Sequence, residues 1–120
     1  MVLIIGGAYQ GKLAYAKKTY GLTENDIFTC NGTDIDFSKG CIDKIEEFVW
    51  KNNDPVGYFR GHRHQWENSV LILQDVFCGV VPLGAENRAW RLKTGQLAQY
   101  LAGEASQVSR IFCGLEQRLK

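Results

Sequence analysis

The chain begins Met1-Val2-Leu3-Ile4-Ile5, runs into Gly6-Gly7, and reaches Gly11-Lys12 four positions later. A short run that is apolar at every position, without the polar alternation of a half-exposed strand, suits a strand buried on both faces of a parallel sheet. Glycines directly after it let the chain turn sharply, and the helical pattern from Gly11 to about Tyr20, ended by Gly21, makes the unit a strand, a tight loop and a helix. The spacing is one residue short of the phosphate-cradling pattern G-x-x-x-x-G-K-[S/T], because the last position is Leu13.

The loop Gly6, Gly7, Ala8, Tyr9, Gln10, Gly11, Lys12 and Leu13 is therefore a candidate nucleotide-binding segment. Its glycines let successive N–H groups point inward, the helix adds the positive end of its dipole, and Lys12 supplies a mobile charge for the outer phosphates. The bland alternative is a glycine-rich turn that only joins strand to helix. Leucine cannot ligate a metal ion, so Mg2+ would have to find other oxygens or keep more of its water. That change bears more on phosphoryl transfer, which depends on the ion's charge, than on phosphate binding.

The rest of the sequence continues the alternation. Ile27–Cys30 reads as a second strand before an Asn31-Gly32 turn. Ser38 reads as the N-cap of a helix to about Lys51, with Cys41, Ile42, Ile45, Phe48 and Val49 at helical spacing on one face. Asn52-Asn53-Asp54-Pro55 stops it, and residues 56–68 give no clear period. Ser69–Val76 reads as a buried strand, followed by a loop over Phe77–Gly84. A helix runs from Ala85 to about Ala102 with Gly95 in its interior, where glycine is costly and marks a close contact or a ligand. Val108–Cys113 is a further strand, and Leu115–Lys120 a short terminal one. Strand-helix alternation of this kind predicts one α/β domain over residues 1–120, with a mostly parallel sheet and helices on both faces. Its ligand site is expected at the carboxyl ends of the strands, after Ile5, Cys30 and Val76.

Among these 120 residues, 14 basic and 13 acidic side chains leave a net charge of +1. That balance argues against a dedicated nucleic-acid or anionic-membrane binder. No apolar run approaches the roughly 20 residues of a membrane helix, and the opening apolar stretch has no charged region before it, so a cytoplasmic location is expected. There Cys30, Cys41, Cys78 and Cys113 would be reduced, and with no C-x-x-C among them they read as small buried residues.

Three further groups bear on chemistry. Asp75 closes an apolar strand, where it would position Mg2+ or satisfy turn amides. His62 and His64 form H-x-H, whose rings would share a face on a strand; no third ligand is evident, and surface or packing roles compete with a metal role and with His62 as a nucleophile. Arg88 and Arg91 share a helix face, to contact phosphate or to be solvated.

Two blocks of the chain resemble one known family. Gly79, Val81, Pro82, Arg88, Arg91, Gly95, Gln99, Leu101, Ala102, Val108 and Gly114 fall without a gap on the C-terminal signature of the adenosylcobinamide kinase / adenosylcobinamide-phosphate guanylyltransferase family, and Gly6, Gly7, Gly11, Lys12 and Ala16 fit its opening. The chain departs from that family at Leu13, Gln10, Leu92, Ala98 and Asp75, and its centre is shorter than the family's, which carries a guanylylated histidine on a further helix. The resemblance implies a P-loop NTPase-like fold that binds GTP or ATP with Mg2+, and a cobinamide as substrate in cobalamin biosynthesis. It implies phosphates held by residues 6–12, Lys12 and Asp75 in catalysis, and Gly79, Pro82, Arg88 and Arg91 beside the substrate. The displaced nucleophile would be His62 or His64, within the Arg60–His64 stretch. Since members of that family self-associate, a homo-oligomer is also expected. A non-catalytic nucleotide-binding relative is the alternative.

Overall fold

Val2–Gly6 forms β1, and its side chains alternate between two apolar layers because both faces of the strand are covered: Leu3 faces one layer and Ile4 the other, each essentially without solvent exposure. A computed structural model describes residues 1–75 and 84–120 of this fold. After β1 come α1 (Lys12–Tyr20), a turn of 3-10 helix at Glu24–Asp26, β2 (Ile27–Thr29) and β3 (Cys41–Asp43). Then follow α2 (Ile45–Trp50), α3 (Pro55–Gly61), α4 (Arg63–Trp66), β4 (Val70–Gln74), α5 (Ala85–Glu104), β5 (Gln107–Phe112) and β6 (Leu115–Arg118).

The described strands make one six-stranded sheet in the order β2-β3-β4-β1-β5-β6. β1 lies parallel between β4 and β5, with Leu3 beside Leu71 and Val108, and Ile4 beside Ile72 and Ser109. β2 and β3 are also parallel to it, whereas β6 turns back, antiparallel to β5. On one face Ile4, Cys41, Val70, Ile72 and Ile111 meet α1 through Ala16, with Leu13, Tyr15 and Tyr20 at the margin. On the other, Leu3, Ile42, Leu71, Leu73 and Val108 meet α2 to α5 through Ile45, Phe48, Phe59, Trp66, Leu97 and Leu101. The α/β architecture with helices on both faces is thus as the alternation of patterns predicts.

One expected element is different. Residues 38–51 are not a single helix. Cys41 and Ile42 belong to β3, where they point to opposite faces and are both fully buried. Lys44, in left-handed backbone conformation with φ 56°, then turns the chain into the short α2. Apolar residues at 41, 42 and 45 satisfy a helical period and a doubly buried strand equally well, so periodicity alone favours neither. Ser38 caps no helix; its hydroxyl bonds the carboxylate of Asp36. Residues 56–68, unreadable in sequence, fold as α3 and α4. Asp54 caps α3 by accepting from the Gly57 N–H at 3.0 Å, and Pro55 occupies its first turn. Among the described residues no helix is long and apolar enough to cross a membrane.

Candidate functional site

Gly6 ends β1 against its neighbours so closely that only glycine fits. A Cβ there would lie 2.6 Å from the carbonyl oxygen of Ile111. The carbonyl of Gly6 in turn accepts the N–H of Asp75 at 2.7 Å, which fixes the end of β4 beside the loop. The loop then passes Tyr9 and Gly11, both in left-handed conformation with φ 61° and 91°, and enters α1. No side chain caps the amino end of α1. The helix therefore presents its first N–H groups, and the positive end of its dipole, toward the loop.

Gln10 does not face a ligand. Its side-chain oxygen accepts the N–H of Cys113 at 2.7 Å, and its carbonyl accepts the N–H of Gly114 at 2.9 Å. Gly11 also packs near Gly114, whose Cα lies 3.5 Å from where a Cβ would be. Both contacts tether the loop to the turn between β5 and β6. Tyr9 is fully solvent-exposed. Leu13 is half-buried and packs against the apolar layer beneath α1, which is why a hydrocarbon is tolerated where the pattern asks for a hydroxyl.

Lys12 folds inward and donates to the carbonyl of Gly7 at 2.7 Å. Around it is a pocket of about 420 Å3, bordered by Tyr9, Gly11, Leu13, Asp43, Lys44, Glu46, Glu47 and Gln74 among others. Asp43 and Glu46 are both buried, with relative exposures of 6% and 5%. Asp43 ends β3 and accepts the N–H of Lys44 at 2.8 Å. Glu46 reaches from α2 to accept the N–H of Gln74 at 2.9 Å, and its own carbonyl accepts the indole N–H of Trp90 in α5 at 2.9 Å. Trp90, set edge-on against Trp50, thus holds the first turn of α2 in place.

Burial governs the protonation of this group. It pushes the carboxyl groups of Asp43 and Glu46 above the ordinary carboxylate range, partly offset by the N–H groups they accept and by the charge of Lys12. It lowers Lys12 below the usual lysine value, against the pull of Glu46, Asp43 and Asp75. Asp43, Glu46 and Asp75 thus act on Lys12, and Lys44 and Lys17 act with Lys12 on Asp43, at the carboxyl ends of β1, β3 and β4.

The structure brings Gly6, Gly7, Ala8, Tyr9, Gly11, Lys12, Leu13 and Asp75 to one end of the sheet. Gly79 and Pro82 lie outside the described residues, as does Cys78. Arg88 and Arg91 stand on the first turns of α5 and do not border the described part of the Lys12 pocket. His62 is elsewhere. It closes α3, its Nδ1 lies 2.7 Å from the carbonyl of Tyr58, and its ring packs on Tyr58 and Phe37 at 4.4 and 5.4 Å. His64 is 95% exposed beside Glu67. The two histidines sit on a helical bend, not on one strand face, and neither borders the pocket.

Asp43, Glu46 and Trp90 are the site residues that the sequence reading misses. The signal for Asp43 is present: Cys41-Ile42-Asp43 is an apolar run followed by an acid, much as Asp75 follows shortly after the apolar run of β4. Among the described residues no three His, Cys, Asp or Glu side chains gather into a metal-binding set. In comparisons with known proteins, no family model and no curated protein matches this chain.

Proposed function

We propose that the Gly6–Leu13 loop binds the phosphates of GTP or ATP and that the chain is a P-loop NTPase-like phosphotransferase. The observation that carries this is the conjunction at one end of the sheet: an uncapped helix start, a left-handed loop, and an inward-folded Lys12 facing buried carboxylates. Backbone N–H groups and a helix dipole suit phosphate oxygens. Lys12 exchanges its bond to the Gly7 carbonyl for the outer phosphates. Asp43 and Asp75 offer hard oxygen donors that suit Mg2+, which would complete its shell with phosphate and water oxygens and supply charge neutralisation at the transferred group.

The reaction assigned to the site is attack of a substrate hydroxyl on the terminal phosphorus. A new O–P bond forms, the bond to the nucleoside diphosphate breaks, and the hydroxyl proton passes to Glu46, whose buried carboxylate has a raised affinity for it. On the resemblance drawn from Gly79 to Gly114, the acceptor is the aminopropanol hydroxyl of adenosylcobinamide, a step of cobalamin biosynthesis. The guanylyl transfer of that family has weaker support here, because His62 packs among aromatic rings away from Lys12. The second reading is a non-catalytic nucleotide-binding protein, and Leu13, packed into the apolar layer, favours it.

Titration of the chain with GTP and ATP, with and without Mg2+, tests the binding. A ligand at a hundred times its dissociation constant adds about 2.7 kcal/mol to stability, read as a raised melting temperature. Lys12→Ala is expected to weaken affinity by tenfold or more, roughly 1.4 kcal/mol; unchanged affinity would refute the assignment. Transfer of label from the γ-phosphate to adenosylcobinamide separates the two readings. Glu46→Gln should then lower kcat by about 10²–10⁴ while nucleotide still binds.

A further inference from the structure

β6 is the outer strand of the sheet, and all of its residues are exposed. Which of its backbone groups are unpaired follows from the turn before it. Cys113 and Gly114, with φ 52° and 75°, make a two-residue hairpin turn that closes on Phe112 and Leu115. In such a hairpin the flanking residues form a hydrogen-bonded pair, and bonded and non-bonded pairs then alternate. Leu115 and Gln117 therefore face β5, as does Leu119, whose N–H donates to Val108 at 2.8 Å. Glu116 and Arg118 turn their N–H and C=O groups outward.

The segment Leu115-Glu116-Gln117-Arg118-Leu119 is self-complementary when read against itself in the opposite direction. Gln117 meets Gln117, Glu116 meets Arg118, and Leu115 meets Leu119. The outward backbone groups belong to Glu116 and Arg118, so this register also gives two bonded pairs about a two-fold axis. The neighbouring outward registers place Glu116 against Glu116 or Arg118 against Arg118, which like-charge repulsion disfavours. On one face the same pairing joins side chains that are otherwise left in water: Leu115 at 72% exposure, Leu119 at 51% and Phe112 at 59%. On the other face Glu116 is steadied by the Tyr15 hydroxyl.

We propose that β6 is a dimerisation strand, and that its occupant is β6 of a second copy of this chain, paired antiparallel with Gln117 on the two-fold axis. The two sheets then run on as one. The proposal stands on the hairpin geometry, the order of charges and the exposed leucines, and is independent of what the Lys12 pocket binds.

Sedimentation of the full chain over a concentration series tests it. The 13.5 kDa mass is expected to double as concentration rises. Arg118→Glu sets like charges opposite each other at two symmetric places and should weaken dimerisation about tenfold or more. The exchange Glu116→Arg with Arg118→Glu restores the opposite pairing and should restore the dimer. Gln117→Cys, made with Cys113→Ser, should form an intermolecular disulfide, since opposed residues in a non-bonded pair lie about 4.5 Å apart at Cα. A chain that stays monomeric throughout the series overturns the proposal. So does association that Arg118→Glu leaves unchanged, a double variant as monomeric as Arg118→Glu, or a Gln117→Cys variant that does not cross-link.

Discussion

Gly6 stands where no methyl group has room, because the obstacle is the backbone carbonyl of Ile111 and not a side chain that can swing away. Gly6→Ala is expected to destabilise the fold by about 1–3 kcal/mol, as overpacking does, measured as a lower urea midpoint with an unchanged slope. Glu46 has the opposite character. Its carboxyl is harder to ionise in the fold than in the unfolded chain, so it favours folding most in acid, and that contribution fades as pH rises through its raised pKa. Glu46→Gln keeps an oxygen for the Gln74 N–H and removes the buried charge. It should therefore gain about 0.5–2 kcal/mol of stability near neutral pH, and the gain should vanish below about pH 4, where the wild-type carboxyl is protonated in both states. Thermal melts at the two pH values decide it. A residue that costs stability and faces a pocket lysine is what the proposed phosphoryl transfer would call for, a trade seen widely at working sites.

At the scale of elements, the glycine-rich turn, β1, α1, β4 and α5 are legible in sequence because local pattern and tertiary placement agree. Four apolar residues in a row before a glycine pair describe a doubly buried strand whatever surrounds them, and Gly21 ends α1 in left-handed conformation as a glycine C-cap should. The centre is not legible for the converse reason. β3 is only three residues long and borrows its stability from β2 and β4, so Cys41 and Ile42 carry no period of their own. Losing β3 to a helix also hid Asp43, since its meaning depends on ending a strand beside β4. The bend between α3 and α4 explains the histidines: aromatic packing with Tyr58 and Phe37 occupies the ring of His62. His62→Ala is accordingly expected to leave nucleotide affinity within about twofold of wild type while lowering stability by roughly 1 kcal/mol. Calorimetric titration and thermal melts read the two effects separately.

At the scale of the whole molecule, the proposed nucleotide binding and the proposed self-association would act on the same folded state. Each would stabilise it by mass action, so on both proposals the melting temperature should rise with protein concentration as well as with nucleotide, and Arg118→Glu should remove the first dependence and keep the second. The loop beside the pocket is also in physical contact with the turn that leads into the outer strand, through Gln10. Its carbonyl and its side-chain oxygen take up the amides of Gly114 and Cys113, 103 residues further along for the side-chain bond. Those two amides sit at an exposed hairpin tip, where exchange with solvent deuterium would otherwise be fast. Their protection is lent by the loop. Any event that reshapes the loop, a bound phosphate included, is thus written into the exchange rates of two hydrogens that touch no ligand, and the chain carries its own reporter at the far end of its sequence.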